Sequence, residues 1–152
     1  MNGETKLIIP GLSGVYDGLG PWMYAFVRFC FGATIMVHGY FKLFAGGAPG
    51  LAEHLLGPWG FPAPLAWAYF LGILEFFGCA ALAVGLLTRP IALMLAIEMA
   101  IITFGVHYTR GFVFSSQGGG YEYPLLLLVL SVAFMFQGGG RYSLDRLIGR
   151  EF

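Results

Sequence analysis

Residues 64–108 read PLAWAYFLGILEFFGCAALAVGLL-TRP-IALMLAIEMAIITFGVHY, two long apolar runs separated only by Thr88-Arg89-Pro90. A helix needs about 20 mostly apolar residues to cross the hydrocarbon core of a bilayer. Residues 64–87 meet that length, and so does the run from Arg89-Pro90 to about Tyr108. A break of so few residues leaves room only for a tight antiparallel return.

Working outward, two further runs share this character. Residues 21–44 are apolar and stop at Gly46-Gly47 and Pro49; residues 121–137 stop at Gly138-Gly139-Gly140. Pro21 is expected as a first helical residue, where its missing N–H would be unpaired anyway. The connections at 45–63 and 109–120 are longer and rich in Gly, so they fall together at the end opposite the short turn. The expected fold class is all-α: an integral membrane four-helix bundle. Residues 1–20 form an N-terminal segment, 21–137 the bundle and 138–152 a C-terminal tail.

Composition agrees. Of 152 residues, 58% are hydrophobic and only 11% charged, against about 25% charged in an ordinary soluble domain. Lys+Arg and Asp+Glu are 8 each, so no basic patch is offered to nucleic acid and none is expected as a partner. Membrane lipid is the expected surrounding. Residues 1–20 lack the basic stretch and apolar core of a secretory leader. Basic residues set orientation, since they favour the cytoplasmic side. Lys6, Arg89, Arg141, Arg146 and Arg150 fall at one end, and Arg110 with Lys42 at the other. Both termini are therefore expected in the cytoplasm, with the chain a multi-pass protein of the cell inner membrane. Cys30 and Cys79 lie in apolar runs and form neither a disulfide framework nor a CxxC site.

Ionisable residues inside the spans are costly in lipid and mark function or pairing. They are Arg28, His38, Lys42, Glu75, Glu98 and His107, with Glu122 opening the last span. Counting ~1.5 Å per residue from the cytoplasmic ends places Arg28, Glu98 and Glu75 roughly 10, 13 and 18 Å deep. The expectation is a buried polar cluster in which Arg28 is neutralised by Glu98, Glu75 or both. His38 and His107 both fall roughly 25 Å up, with Lys42, Arg110 and Glu122 near them as an outer cluster. His38 and Lys42 are four apart and share a face. Arg28, Gly32, Ile35, Gly39 and Lys42 form a stripe whose glycines admit close approach of a second helix.

Several chemistries are excluded. There is no Glu-x-x-His pair for a di-iron bundle, no HExxH and no GxSxG. No metal motif is present, and Gly118-Gly119-Gly120 is not a dinucleotide fingerprint. Haem between His38 and His107 is the weaker reading of those two residues. A quinone fits better, because it needs an apolar cleft with one or two hydrogen-bond or proton donors. His38, Lys42 and Glu122 can supply these.

From Val27 to Phe44 the chain reads VRFCFGATIMVHGYFKLF. This resembles the Arg…Gly…His-Gly…Lys-Leu pattern of the DoxX family. Glu75, Gly85-Leu86-Leu87-Thr88-Arg89, Gly118-Gly119-Gly120-Tyr121-Glu122 and Gly139-Gly140-Arg141-Tyr142-Ser143-Leu144-Asp145 extend the resemblance over roughly residues 24–145. It implies a four-helix membrane subunit similar to the small subunit of thiosulfate:quinone oxidoreductase. It also implies a partner subunit that brings the metal or thiol chemistry, within a larger membrane complex. Its recurring polar positions are Arg28, His38, Lys42, Glu75 and Glu122. The leading expectation is a quinone and proton site at His38, Lys42 and Glu122, with His107 assisting. The rival is a non-catalytic scaffold or assembly subunit, whose polar residues fix helix packing.

Overall fold

The computed structural model describes residues 7–113 and 119–151. Lys6 and Gly118 lie outside the described residues. Among those described, the secondary structure is entirely helical. Helix α1 spans Ser13–Phe44. A short helix α2, Gly47–Leu51, runs on through a π-helical turn, Ala52–Leu56. Helix α3 covers Pro64–Val84 and α4 covers Thr88–Arg110. Both are long and apolar enough to cross a membrane. The shorter apolar helix α5 is Glu122–Gln137, and α6 is a single turn, Leu144–Leu147.

Helix α1 begins well before Pro21, which lies inside it. A proline there forgoes one bond to the carbonyl four residues back and bends the helix rather than ending it. The expectation that Pro21 opens the helix is corrected accordingly.

Two antiparallel pairs make the body. α1 lies along α3, and α4 lies along α5. Glycine sets the α1–α3 spacing. A Cβ on Gly32 would stand 2.6 Å from the Cys79 carbonyl oxygen, and one on Gly39 would run into the Phe76 backbone N. These contacts fix the register between the two helices. Between the pairs lies one apolar core, with Phe31 and Ile35 of α1, Leu82 of α3, Leu95 of α4 and Phe134 of α5 at its centre. The ring of Phe134 meets Phe31 edge-on at 5.2 Å between centroids.

The segment after α1 is not a bare loop. Ala48, Ala52 and Leu56 recur at helical spacing and pack on Ala68 of α3 as a second small core. Glycine and proline hide this helix in the sequence, but its small apolar face is enough to dock it.

Residues 138–151 also fold back rather than trail away. The Tyr24 hydroxyl donates to the Gly138 carbonyl, the Asp145 N–H donates to the Gly85 carbonyl at 2.9 Å, and Trp22 stacks on Tyr142 at 4.2 Å.

Candidate functional site

The buried charges fall into two separate groups. Arg28 is 2% exposed and meets neither Glu75 nor Glu98. Its guanidinium donates to three carbonyls: Gly139, Tyr142 at 2.8 Å and Ala83 at 3.4 Å. Gly85, with φ +75°, leaves the room, since a Cβ there would stand 2.8 Å from the guanidinium carbon. Beside it Asp145, 1% exposed, accepts from the backbone N–H of Leu87 at 2.8 Å and Thr88 at 3.0 Å. A helix start has unpaired N–H groups and a partial positive charge, so this carboxylate caps α4.

The expected Arg28–Glu75–Glu98 cluster is therefore corrected. Glu75 and Glu98 come together, but their cation is Lys42. Counting depth from Pro21 put Arg28 at the level of the carboxylates. The glycine contacts instead set Gly32 against Ala83 and Gly39 against Phe76. In that register Arg28 reaches the α3–α4 turn, and Lys42 reaches the Glu75 level.

The Lys42 ammonium pairs with the Glu75 carboxylate, whose side chain is 3% exposed. Glu75 sits in a π-helical turn, Leu74–Gly78. His107 closes another, Ile101–His107. Such turns carry one extra residue per hydrogen-bonded ring, reorient side chains and gather at functional sites.

Two cavities flank the Lys42–Glu75 pair. The first, about 340 Å³, is lined by His38, Lys42, Glu75, His107 and Tyr123, with apolar residues including Ile35 and Leu127. The His107 Nδ1–H donates to the Gly119 carbonyl at 2.8 Å, because a carbonyl can only accept. That bond occupies Nδ1 and leaves Nε2 as the second ring position. His38 is exposed at the cavity wall. The second cavity, about 300 Å³, is lined almost wholly by apolar side chains together with Lys42 and Glu98. Glu98 is 6% exposed; both of its oxygens are buried, and its carboxyl faces that of Glu75 with Lys42 close by.

His38, Lys42 and His107 thus share one cavity. Glu122 begins α5 and Arg110 ends α4; neither lines it, and both are engaged in interactions of their own. Tyr123 takes the place that the sequence reading gave to Glu122. It is the adjacent residue, and a helical start turns adjacent side chains about 100° apart. No group of three or more His, Cys, Asp or Glu side chains among the described residues could hold a metal ion.

An all-helical chain with two membrane-length helices, a glycine-spaced α1–α3 contact and ionisable residues facing internal cavities has the makings of a small membrane protein. The family follows: the DoxX family model matches residues 23–108, more than half of the chain, and the protein belongs to the DoxX family. It is 29% identical to an uncharacterized protein of Haemophilus influenzae over 132 residues, covering 82% of this chain and 90% of that protein. A second uncharacterized Haemophilus influenzae protein is 32% identical over 91 residues, covering 60% of this chain and 58% of its own. No solved structure matches.

Proposed function

We propose that the protein is a membrane subunit of a quinone-linked oxidoreductase complex and contributes a quinone and proton site. In this reading α1, α3, α4 and α5 form a four-span bundle in the inner membrane, both termini cytoplasmic. The bias of Arg89, Arg141, Arg146 and Arg150 to one end supports that orientation. The observation that carries the functional reading is the cavity holding His38, Lys42, Glu75, His107 and Tyr123 in an otherwise apolar wall.

The residues fit the chemistry of a quinone. Two carbonyl acceptors in a flat apolar body need donors within an apolar cleft. A quinone supplies two-electron chemistry coupled to protons. The protein side supplies position and protons. The Lys42 ammonium, held by Glu75, and the His38 ring can donate to carbonyl oxygens. His107, fixed through Nδ1, offers Nε2 as a proton acceptor. No metal-ligand cluster occurs among the described residues, so electron delivery is assigned to a partner subunit of the larger complex.

The test is quinone-linked turnover of the purified complex carrying His38→Ala. Loss of one positioned hydrogen-bond or proton donor predicts a fall of about tenfold to a hundredfold with the fold retained. Turnover equal to the unsubstituted complex overturns the reading.

The scaffold reading has its own observation: Arg28 and Asp145 are spent wholly on backbone groups. It expects His38→Ala to leave turnover intact and Arg28→Leu to abolish assembly.

A further inference from the structure

The chain after α5 turns back against the end of α3 and frames an open groove of about 640 Å³. Arg141, Tyr142, Leu144, Arg146 and Leu147 line it together with Val84. Val84 is the last residue of α3, one of the two helices long enough to cross a membrane. The groove therefore begins where that helix leaves the hydrocarbon. Arg141 and Arg146 also line an adjoining groove, which Arg150 shares.

The arginines of the groove have no acid to answer them. Residues 141–151 carry Asp145 and Glu151 beside Arg141, Arg146 and Arg150, and the fold engages both acids elsewhere. Asp145 turns inward, 1% exposed, onto the N–H groups of Leu87 and Thr88. Glu151 reaches only the adjoining groove; it accepts from the Gly139 N–H at 2.9 Å and lies 3.6 Å from Arg89. Asp17, exposed on α1, lines neither groove. Among the described residues Arg141 and Arg146 thus form no ion pair. Both are exposed, and the Arg141 guanidinium stands over the Tyr142 ring at 5.9 Å. A guanidinium presents its N–H donors as a planar fork that matches phosphate oxygens.

Beside this charge lies uncovered apolar surface. Leu147 is 79% exposed, and Val84, Leu144 and Ile148 are exposed as well. A free phosphate gains nothing from that surface. A phospholipid does: its phosphate meets the arginines while its acyl chains follow the apolar side chains into the hydrocarbon. Basic pockets at the ends of membrane helices favour anionic headgroups, because a zwitterionic headgroup carries a cation of its own.

We propose that this groove is a headgroup site for an anionic phospholipid, with Arg141 and Arg146 holding the phosphate and Val84, Leu144 and Leu147 the start of the chains. The site goes beyond the quinone reading. It needs only that the bundle sits in a bilayer, so it stands or falls separately from quinone turnover.

The protein has 3 tryptophans. Trp22 stacks on Tyr142 at 4.2 Å, while Trp59 and Trp67 line a cavity at the other end. In Trp59→Phe/Trp67→Phe protein, fluorescence therefore reports the groove end alone. The probes are phosphatidylglycerol and phosphatidylcholine, each brominated near the glycerol end of its chains, titrated into mixed detergent micelles. Bromine quenches a tryptophan close by. Phosphatidylglycerol is expected to quench saturably, at about tenfold lower mole fraction than phosphatidylcholine, in line with two arginines at a charged membrane surface. Arg141→Gln/Arg146→Gln should remove that preference, and Arg150→Gln should keep it. Glycerol phosphate, which has the phosphate without chains, should not displace the lipid at matching phosphate concentration. Equal quenching by the two lipids overturns the proposal. So does an Arg150→Gln loss as large as that of Arg146→Gln, since net charge alone then sets the preference. Displacement by glycerol phosphate overturns it too, by marking a site for a soluble anion. If the double tryptophan variant does not fold, native mass spectrometry of the otherwise unsubstituted protein decides, by counting which of the two lipids is retained with and without the two arginines.

Discussion

At one end of the molecule Arg28 and Asp145 are buried and occupied by backbone groups; at the other, half-buried Lys42 and buried Glu75 and Glu98 gather beside two cavities. Both ends bury charge, yet they use it differently. Arg28 ties three chain segments together, and Asp145 caps a helix. The polar atoms are used up in holding the chain. At the Lys42 end His38, Lys42, Glu75, His107 and Tyr123 line a space that a ligand can fill. Buried charge alone does not mark a site; charge gathered with other polar side chains around a cavity does.

Substitutions can break or sharpen this contrast. The largest effect is expected for Arg28→Leu, which strands three carbonyls around an apolar side chain. The cost is about 3–5 kcal/mol, as for removal of one partner of a buried charged network. Measured as unfolding in mild detergent, a loss below about 1 kcal/mol would refute the tie. Next comes Gly39→Ala. Its Cβ meets backbone of α3, not a flexible side-chain tip, so the helices must part. About 2–3 kcal/mol is expected, at the upper end for overpacking. Disulfide trapping between α1 and α3 should show the separation. Asp145→Ala removes the cap on α4 and should cost about 1–2 kcal/mol, read from hydrogen exchange at the Leu87 and Thr88 amides. The smallest effect is Glu151→Gln. Its contact with Arg89 is long, at 3.6 Å, and both side chains are well exposed. A change under ~0.5 kcal/mol is expected. All four act through the fold, and none of the four residues lines the cavity of His38 and His107.

How much of this was legible in the sequence depends on whether local or relational information was needed. The apolar runs at 64–87 and 90–108 gave α3 and α4 nearly to their ends, because length and hydropathy are local properties. The Gly32–Gly39 stripe marked a close-packing face on α1 for the same reason, without naming α3 as its partner. Charge pairing was not legible. It depends on the offset between helices, and the glycine–backbone contacts that set the offset are visible only after packing. A shift of origin by a few residues moved Arg28 from the carboxylates to the α3–α4 turn. The helix at 47–56 was masked by glycine and proline, although Ala48, Ala52 and Leu56 keep a helical period. Trp59 carried no sign of its partner, since Gly105 lies 46 positions further along. Residues 139–145 were noticed as a motif but read as a tail; nothing in them names Arg28 as their target.

The Arg28 contact also has a temporal side. Arg28 leaves the ribosome 111 and 114 positions before Gly139 and Tyr142, two of its acceptors. Until they follow, the guanidinium is in or near the bilayer without two of the three carbonyls that will hold it. A chain cut off before residue 139 keeps a misplaced charge that membrane quality control can recognise. A chain that reaches residue 142 conceals it. Stalled chains ending at residue 137 should turn over faster than full chains, and Arg28→Leu should erase that difference. The contact thus certifies that the chain has been made as far as residue 142.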